Sequence, residues 1–308
     1  MTFVVLIVIL YENGHARVKQ ELEQANDEVL QKNAELESQN EEIYQQHENL
    51  RNAFKEITDN VNYAKRLQQA ILGNPQTIKE YVKDAFVYFE PRDIVSGDFY
   101  WFAKVATEDI TYTIIAIADC TGHGVSGAFM TVLGHDFLNE IVLSEKITDP
   151  GLILEKLDKK IIQALQDHQN ELNDGMDIGI LVLDENNQQV RFAGAKHPLY
   201  YVQNKTLHQI KSSPFPIGSQ QYEVSKEFET QVFEWKTGTR FYMFTDGFQD
   251  QFGGAKDKKY LKSRFRNYLH SISHLPMSLQ QEALMQEFKV WKGEESQTDD
   301  VLVMGLSL

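Results

Sequence analysis

A seven-residue repeat of apolar side chains runs through residues 12–72, and it constrains the fold more than any other feature of the chain. This stretch contains no proline, a single glycine near its start, and many glutamates and glutamines. The repeated residues are Leu22, Val29, Leu36, Ile43, Leu50, Ile57, Ala64 and Ile71. A repeat sustained over this many heptads is typical of a coiled coil, so we predict a long helix that pairs with a second helix.

The other seam position of this repeat is largely polar. If the apolar residues occupy position d, position a holds Asn26, Asn33, Asn40, His47, Phe54, Val61 and Gln68. Asparagine at position a costs stability, but it fixes the register and favours a parallel pair. We therefore predict a homodimer through a soft, parallel coiled coil. The sequence leaves open whether this rod also transmits a helix rotation to the rest of the chain.

An apolar segment, residues 1–11, precedes the repeat. Its run of apolar residues, Phe3–Tyr11, is shorter than the about 20 residues that cross a bilayer, and it lacks the features of a secretory signal. It could be a hydrophobic start to the following helix. We favour the end of a truncated transmembrane helix, with Arg17 and Lys19 on the cytoplasmic side. This interpretation predicts membrane attachment, with the remaining chain at the inner face of the cytoplasmic membrane.

Composition limits what the remaining chain can be. The 308 residues are 42% hydrophobic and 24% charged, which is ordinary for a globular domain with an extension. The formal net charge of -15 argues against nucleic-acid binding, which needs clustered Lys and Arg. A single cysteine, Cys120, excludes an internal disulfide framework and fits a reducing cytosol.

The pattern changes after Gly73-Asn74-Pro75, which ends the helix. Residues 73–84 form a predicted linker, and residues 85–308 form a domain in which strands cluster at both ends and long helices interrupt them. This order predicts an α+β domain with mostly antiparallel sheets. The predicted strands are Ala85–Glu90, Phe99–Val105, Thr111–Asp119, Met176–Asp184, Gln189–Ala195, Leu199–Gln203, Phe228–Trp235, Arg240–Thr245 and Val301–Ser307. The predicted helices are Val125–Ser144, Gly151–His168, Lys258–Ser271 and Ser278–Trp291.

Four aspartates lie in distinctive sequence settings. Asp98 follows Ser-Gly, Asp119 ends the apolar run Ile114–Ala118, Asp246 lies in Thr-Asp-Gly, and Asp299 lies in Thr-Asp-Asp. A single strand-Asp-Gly would be an ordinary turn, but four such settings are harder to explain in that way. Carboxylates that converge at strand ends repel one another unless a cation lies between them. Oxygen ligands favour two Mg²⁺ or Mn²⁺ ions over zinc, and a pair of such ions forms a phosphoryl-transfer site.

The order and spacing of these motifs resemble the SpoIIE-type branch of the metal-dependent protein serine/threonine phosphatases, the PPM superfamily. The resemblance extends from about residue 86 to residue 308. It implies an α-β-β-α sandwich of two mostly antiparallel sheets flanked by helices, here preceded by the long coiled-coil helix. The matching segments are residues 93–101, 118–128, 192–198, 244–247 and 298–300. Residues 57–72 also resemble the linker before this domain in membrane-attached bacterial members.

The resemblance implies a ligand set for two Mg²⁺ or Mn²⁺ ions. Asp119 would bridge both ions, with the backbone carbonyl of Cys120 as a further ligand. Asp246 and Asp299 would hold the first ion, and Asp98 would serve the second directly or through water. A water between two cations loses a proton easily and can attack phosphorus, so Asp119 and Asp246 would act in catalysis through that water.

Three further residues near these motifs have competing interpretations. Asp300 could be mistaken for the ligand, but Asp299 aligns with the metal aspartate of the family. His123 could donate a proton to the leaving serine oxygen, or it could shape the turn. Arg92 could contact substrate phosphate, or it could be a solvated surface residue.

The expected function is hydrolysis of phosphoserine or phosphothreonine on a bacterial signalling protein, such as an anti-sigma-factor antagonist. The alternative is a catalytically inactive dimeric signalling scaffold of the same fold, although the intact set of four aspartates argues against it. A sensor histidine kinase is disfavoured, since the sequence has neither a phosphoacceptor-histidine helix pair nor a Gly-rich nucleotide lid.

Overall fold

The structure, a computed structural model, describes residues 2–107, 110–167, 170–171, 174–219 and 226–308. Two predicted boundaries, Met1 and His168, lie outside these residues. The chain forms two compact units, residues 1–60 and residues 61–308. Helix α1, Thr2–Leu72, is one uninterrupted helix, and it fits the predicted coiled-coil element.

The first unit consists of α1 up to residue 60, and the apolar seam of the repeat is exposed along it. Leu22, Leu36 and Leu50 each expose more than half of their surface. Pairing with a second copy stays a prediction. Among the residues that the structure describes, no helix is both long enough and apolar enough to cross a bilayer. Membrane attachment through residues 1–11, and the cytoplasmic location that follows from it, also stay predictions.

The second unit contains the strands and the remaining helices. After α1 comes a 3-10 helix, Pro75–Glu80, which covers half of the predicted linker. Helix α2, Gly124–Leu138, continues into a π-helical turn, Asn139–Ser144. The other helices are α3 Pro150–Leu165, α4 Gly247–Asp250, α5 Lys262–Ile272 and α6 Met277–Lys292. The strands are β1 Asp84–Glu90, β2 Phe99–Ala106, β3 Thr111–Cys120, β4 Gln166–Asp167, β5 Asn170–Glu171, β6 Met176–Asp184, β7 Gln189–Ala195, β8 Leu199–Gln203, β9 Thr206–Ile210, β10 Gln231–Glu234, β11 Arg240–Phe244, β12 Phe252–Gly253, β13 Lys258–Lys259 and β14 Val301–Ser307.

Ten of these strands form two five-stranded sheets. The strand order is β1-β14-β11-β8-β9 in the first sheet and β10-β7-β6-β3-β2 in the second. Every pairing within both sheets is antiparallel. The predicted α+β class with antiparallel sheets is therefore confirmed.

The two faces of the first sheet pack against different layers. In β14, Leu302, Met304 and Leu306 belong to the core that the first sheet shares with the second sheet. Val301 and Val303 belong to a separate core with α5 and α6. Since alternate residues of a strand point to opposite faces, this division places the first sheet between the second sheet and two helices. Helices α2 and α3 contribute to the core on the second sheet, which completes the α-β-β-α order.

Several local predictions are wrong. The helix predicted at Gly151–His168 ends at Leu165, because Gln166 and Asp167 form β4. Strand β9 was missed, because its side chains are mostly exposed and polar. The helix predicted from Lys258 begins at Lys262, since Lys258 pairs with Gly253 in a short hairpin. The strand predicted at Phe228–Trp235 is shorter, because residues 228–230 lie outside the ladder that β10 forms with β7.

Candidate metal centre

The two sheets each supply one aspartate from the end of a central strand. Asp119 is the second-last residue of β3, which is flanked by β2 and β6 in the second sheet. Asp246 follows β11, which is flanked by β14 and β8 in the first sheet. Central strands are held on both edges, so ladder hydrogen bonds fix the backbone at Asp119, and Asp246 lies two residues beyond the last residue of β11. Asp119 is half-buried and Asp246 is exposed by surface area.

Asp98 is the most buried of the four aspartates, and Thr245 contacts it directly. The hydroxyl of Thr245 donates a hydrogen bond of 2.6 Å to Asp98 Oδ2. Thr245 Oγ1 also accepts a hydrogen bond of 3.1 Å from the backbone N–H of Leu302, in β14. Thr245 precedes Asp246, so one buried hydroxyl connects the Asp98 carboxylate to the strand end that carries Asp246.

Asp299 and Asp300 have different surroundings. Asp300 is buried, and its carboxylate accepts hydrogen bonds from the backbone N–H groups of Arg92 at 2.7 Å and Gly97 at 2.8 Å. Asp299 is half-buried, and its Oδ1 accepts a hydrogen bond of 2.9 Å from the backbone N–H of Asp300. Both oxygens of Asp300 are therefore engaged in holding backbone, whereas Asp299 keeps Oδ2 available. This difference supports Asp299 over Asp300 as the metal ligand.

The loops that carry Asp98 and Asp119 touch through glycines. A Cβ added to Gly97 would lie 2.6 Å from the carbonyl oxygen of Gly122, and one added to Gly127 would lie 2.7 Å from the Cα of Gly97. Gly122 also has a φ of +85°, which side-chain-bearing residues rarely adopt. The Ser-Gly-Asp motif and the Thr-Gly-His-Gly motif thus need glycine because three segments of backbone meet there.

The carboxylates raise one another's pKa. Burial, followed by the charge of Asp119, raises the pKa of Asp98 well above its usual value, although the hydrogen bond from Thr245 opposes this shift. Burial and then the charges of Asp246 and Asp299 raise the pKa of Asp119. The surrounding protein removes water from around Asp246, and this desolvation, followed by the charge of Asp299, raises the pKa of Asp246 to about 6. Burial also raises the pKa of Asp299. Buried like charges that destabilise one another are the setting in which a bound cation is stabilising.

Asp177 is a further acidic residue at this site, and sequence reasoning missed it. It is the direct cross-strand partner of Asp119 in the ladder between β3 and β6. Residues paired in this way lie on one face of a sheet with Cβ atoms about 5 Å apart. The charge of Asp177 contributes to the raised pKa of both Asp119 and Asp246. Lys196 Nζ lies 3.9 Å from Asp177 Oδ1.

Arg92, Asp93 and His123 form a polar cluster next to Asp299. Arg92 donates a hydrogen bond of 3.1 Å to the carbonyl oxygen of Thr298, and its Nη2 lies 3.1 Å from His123 Nδ1. The same His123 nitrogen lies 3.0 Å from Asp93 Oδ2. The charges of Arg92 and His123 both act to lower the pKa of Asp299. Arg92 is therefore held by hydrogen bonds in this cluster, and contact with substrate phosphate stays a prediction.

Cys120 lies beside the aspartates without an exposed sulfur. Its side chain is buried, and burial together with the charge of Asp119 raises the pKa of its thiol well above the usual value. A buried, protonated thiol is a poor nucleophile, so the side chain has a packing role. Its carbonyl oxygen would lie 3.3 Å from a Cβ at Gly97, which places this predicted ligand atom beside the Asp98 loop.

The donor set fits Mg²⁺ or Mn²⁺ by its chemistry. Carboxylates and a backbone carbonyl are hard oxygen donors, which these ions prefer. Across the described ranges, no three His, Cys, Asp or Glu side chains are close enough together to hold an ion as they stand. The aspartates thus interact at a longer range than coordination requires, and the fit rests on donor type and on their shared electrostatic environment.

Two antiparallel sheets between helical layers, with aspartates at the strand ends, define the PP2C class of phosphatase fold. A family model described as Stage II sporulation protein E (SpoIIE) matches residues 110–308. Among solved structures, the SiaA-PP2C domain of Pseudomonas aeruginosa is 30% identical, with a TM-score of 0.73, and the match covers 83% of this chain and 98% of that one. No curated protein matches the chain at a significant level.

Two more distant structures share the fold. The PP2C phosphatase domain of SpoIIE from Bacillus subtilis, solved with a fragment of its regulatory domain, is 17% identical, with a TM-score of 0.58 over 73% of this chain and 63% of that one. The RsbU and RsbW domains of a Mycobacterium tuberculosis protein are 18% identical, with a TM-score of 0.53 over 73% of this chain and 60% of that one. The chain belongs to the SpoIIE family, and the family makes it a protein serine/threonine phosphatase.

Proposed function

We propose that this protein hydrolyses phosphoserine and phosphothreonine on a signalling protein, using two Mg²⁺ or Mn²⁺ ions. The observation that carries the proposal is the group of Asp98, Asp119, Asp246 and Asp299, whose carboxylates all have raised pKa values because the surrounding protein removes water from them and because neighbouring carboxylate charges repel theirs. The family generally depends on Mg²⁺ or Mn²⁺, in agreement with this oxygen-rich donor set.

The chain's own residues have distinct parts in this proposal. Asp119 and Asp246 hold the centre from one sheet each, and the hydroxyl of Thr245 keeps the Asp98 carboxylate oriented. Arg92 presents a guanidinium beside Asp299, where it can bind a phosphate oxygen of the substrate. When bound, two divalent ions would lower the pKa of a water and offset the charge on the phosphoryl oxygens.

The substrate we propose is a small phosphorylated signalling domain, such as an anti-sigma-factor antagonist. Homologues of this family act on phosphoproteins in signalling systems, which supports a protein rather than a metabolite. We further propose that two copies pair through the exposed seam of α1, since a helix with an apolar stripe of this length is stabilised by burying that stripe.

Hydrolysis of phosphorylated peptides tests the function. The full chain should release phosphate from phosphoserine and phosphothreonine peptides in Mn²⁺, and excess chelator should abolish the release. Asp119→Asn and Asp246→Asn should each lower kcat/KM at least about a hundredfold, as expected when charge stabilisation of the transition state is lost. Asp257→Asn, an exposed aspartate outside the centre, is the matched control and should leave the rate unchanged.

The same experiment separates the enzyme from an inactive scaffold. Retained phosphopeptide binding without turnover in Mg²⁺ or Mn²⁺ would favour the scaffold. Equal rates in the wild-type protein and both aspartate variants would also reject the proposed centre.

A further inference from the structure

The last turn of α1 makes a two-point contact with the loop that carries Asp98. Gln68 is a buried polar residue with 6% of its surface exposed. Its Nε2 donates a hydrogen bond of 2.6 Å to the carbonyl oxygen of Ser96, and its Oε1 accepts a hydrogen bond of 3.1 Å from the backbone N–H of the same residue. A glutamine amide has a donor and an acceptor side by side, so it can satisfy both backbone groups of one residue.

Ser96 passes this restraint on to Asp98. Its hydroxyl accepts a hydrogen bond of 3.0 Å from the backbone N–H of Asp98. The next residue, Gly97, donates its backbone N–H to Asp300 and accepts a hydrogen bond of 3.0 Å from Thr131 Oγ1 in α2. The loop is therefore held by α2, by the Asp300 carboxylate and by Gln68.

Two further contacts fix the end of α1 to the same region. The hydroxyl of Tyr100, two residues after Asp98, donates a hydrogen bond of 2.9 Å to the carbonyl oxygen of Gly73. Leu72 is buried in the core shared by the two sheets. Hydrogen bonds thus connect the end of α1, the Asp98 loop and the start of β2. A displacement of Gln68 would therefore also displace Asp98.

We propose that Gln68 is a positioning residue for the metal centre. Its hydrogen bonds to Ser96 fix the position of Asp98 and thereby the affinity of the centre for its ions. This inference rests on the proposed function, because it concerns how that centre binds its ions. Gln68 is also position a of the heptad repeat. If the coiled coil continued as far as Gln68, the partner helix would contact the Gln68 side-chain amide, which is the group that Ser96 binds in this structure. Pairing of two chains through this turn and binding of Ser96 therefore compete for one side chain.

The test compares Gln68→Met with Gln69→Ala in the full chain. Methionine keeps the length of Gln68 and removes both hydrogen bonds, whereas Gln69 is the exposed neighbour in the same turn. Mn²⁺ binding is measured by calorimetry after chelator treatment, well below the melting temperature of each variant. Two lost hydrogen bonds to a buried loop should raise the Kd for Mn²⁺ about tenfold. Gln69→Ala should bind as the wild type does.

The readouts separate positioning from stability alone. A positioning role raises the Kd for Mn²⁺ and the Mn²⁺ concentration for half-maximal hydrolysis together, and it leaves kcat at saturating Mn²⁺ within about twofold. A lower Tm with a Kd changed less than about threefold would overturn the inference. If the wild type neither binds Mn²⁺ nor hydrolyses phosphopeptides, the proposed function itself has failed. If the wild type does both and Gln68→Met matches it, only this inference has failed.

A measurement on the wild type keeps the test decisive if Gln68→Met does not fold. Coupling between two sites is reciprocal, so Mn²⁺ binding at Asp98 should strengthen the contact between Gln68 and Ser96. Hydrogen exchange of the Ser96 amide, which bonds to Gln68 Oε1, should slow at least about threefold when Mn²⁺ is added. An unchanged rate at Ser96 alongside calorimetric Mn²⁺ binding would overturn the proposal.

Discussion

Exchanging each carboxylate of the Asp299-Asp300 pair for an amide should separate a metal ligand from a structural anchor. Asp300→Asn keeps one acceptor oxygen and turns an NH₂ group toward the second backbone N–H, from either Arg92 or Gly97. The loss combines a hydrogen bond to a charged group, worth about 1.5–3 kcal/mol, with an unsatisfied buried N–H, which costs about 1–3 kcal/mol. Relief of repulsion with Asp98 and Asp119 offsets part of that loss, so we expect a net decrease of about 2–4 kcal/mol.

Asp299→Asn should have the opposite profile. Its Oδ1 accepts only the backbone N–H of Asp300, which an asparagine oxygen can also accept. Burial raises the pKa of Asp299, so its charge is unfavourable in the fold and its removal should not lower stability. We expect an unchanged or higher Tm in chelator, with Mn²⁺ binding weakened and phosphopeptide hydrolysis reduced at least about a hundredfold.

Thermal melts in chelator and Mn²⁺ calorimetry measure the two profiles. At about 2–4 °C per kcal/mol for a domain of this size, Asp300→Asn should melt roughly 4–16 °C below the wild type. The reasoning would be refuted if Asp300→Asn melted within about 1 °C of the wild type, or if Asp299→Asn melted as low as Asp300→Asn. A wild-type Kd for Mn²⁺ in Asp299→Asn would reject Asp299 as a ligand.

Two further predictions concern the buried hydroxyl and the titration of the centre. Thr245→Val removes the donor to Asp98 with little change of shape, and we expect calorimetry to give a Kd for Mn²⁺ at least about tenfold higher. Thr113→Val, which changes a buried threonine at the end of β3 far from Asp119, should bind normally. The pKa of Asp246 is raised from 3.8 to about 6, so the carboxylate of Asp246 binds a proton more tightly in the folded, metal-free protein than in the unfolded chain. Protonation of Asp246 therefore contributes its full stabilisation below about pH 4, and this contribution is lost as the pH rises through about 6. In thermal melts in chelator, Asp246→Asn should lack this pH-dependent loss of stability. The same dependence of Tm on pH in Asp246→Asn and the wild type would contradict the assignment.

The sequence predicted the parts of the fold that have strong local patterns. Strand β6 has a buried apolar run between two aspartates, and β7 and β8 also have buried, strand-forming side chains, so each was predicted with its observed boundaries. Strand β9 was missed because an edge strand need not be apolar. A usable signal was present at Asn204-Lys205, where both residues have positive φ, since asparagine is common in such hairpin turns.

The candidate site was only partly predictable. Asp98, Asp119, Asp246 and Asp299 stand out because each follows a recognisable motif. Asp177 does not, because its closeness to Asp119 depends on the register between β3 and β6, which is set by long-range pairing. The heptad pattern did identify Gln68 as a seam position, but its actual partner, Ser96, is 28 residues away and no local rule connects them.

Asp119 and Asp246 come from opposite sheets of the fold. The distance between these two aspartates depends on the thickness of the hydrophobic core between the sheets, which are stacked about 10 Å apart in such folds. Met243 and Met304 belong to that core, and neither is a proposed metal ligand. A bulkier or smaller side chain at either position would change the distance between Asp119 and Asp246, and with it the spacing of the two proposed ions, while every proposed ligand stays unchanged.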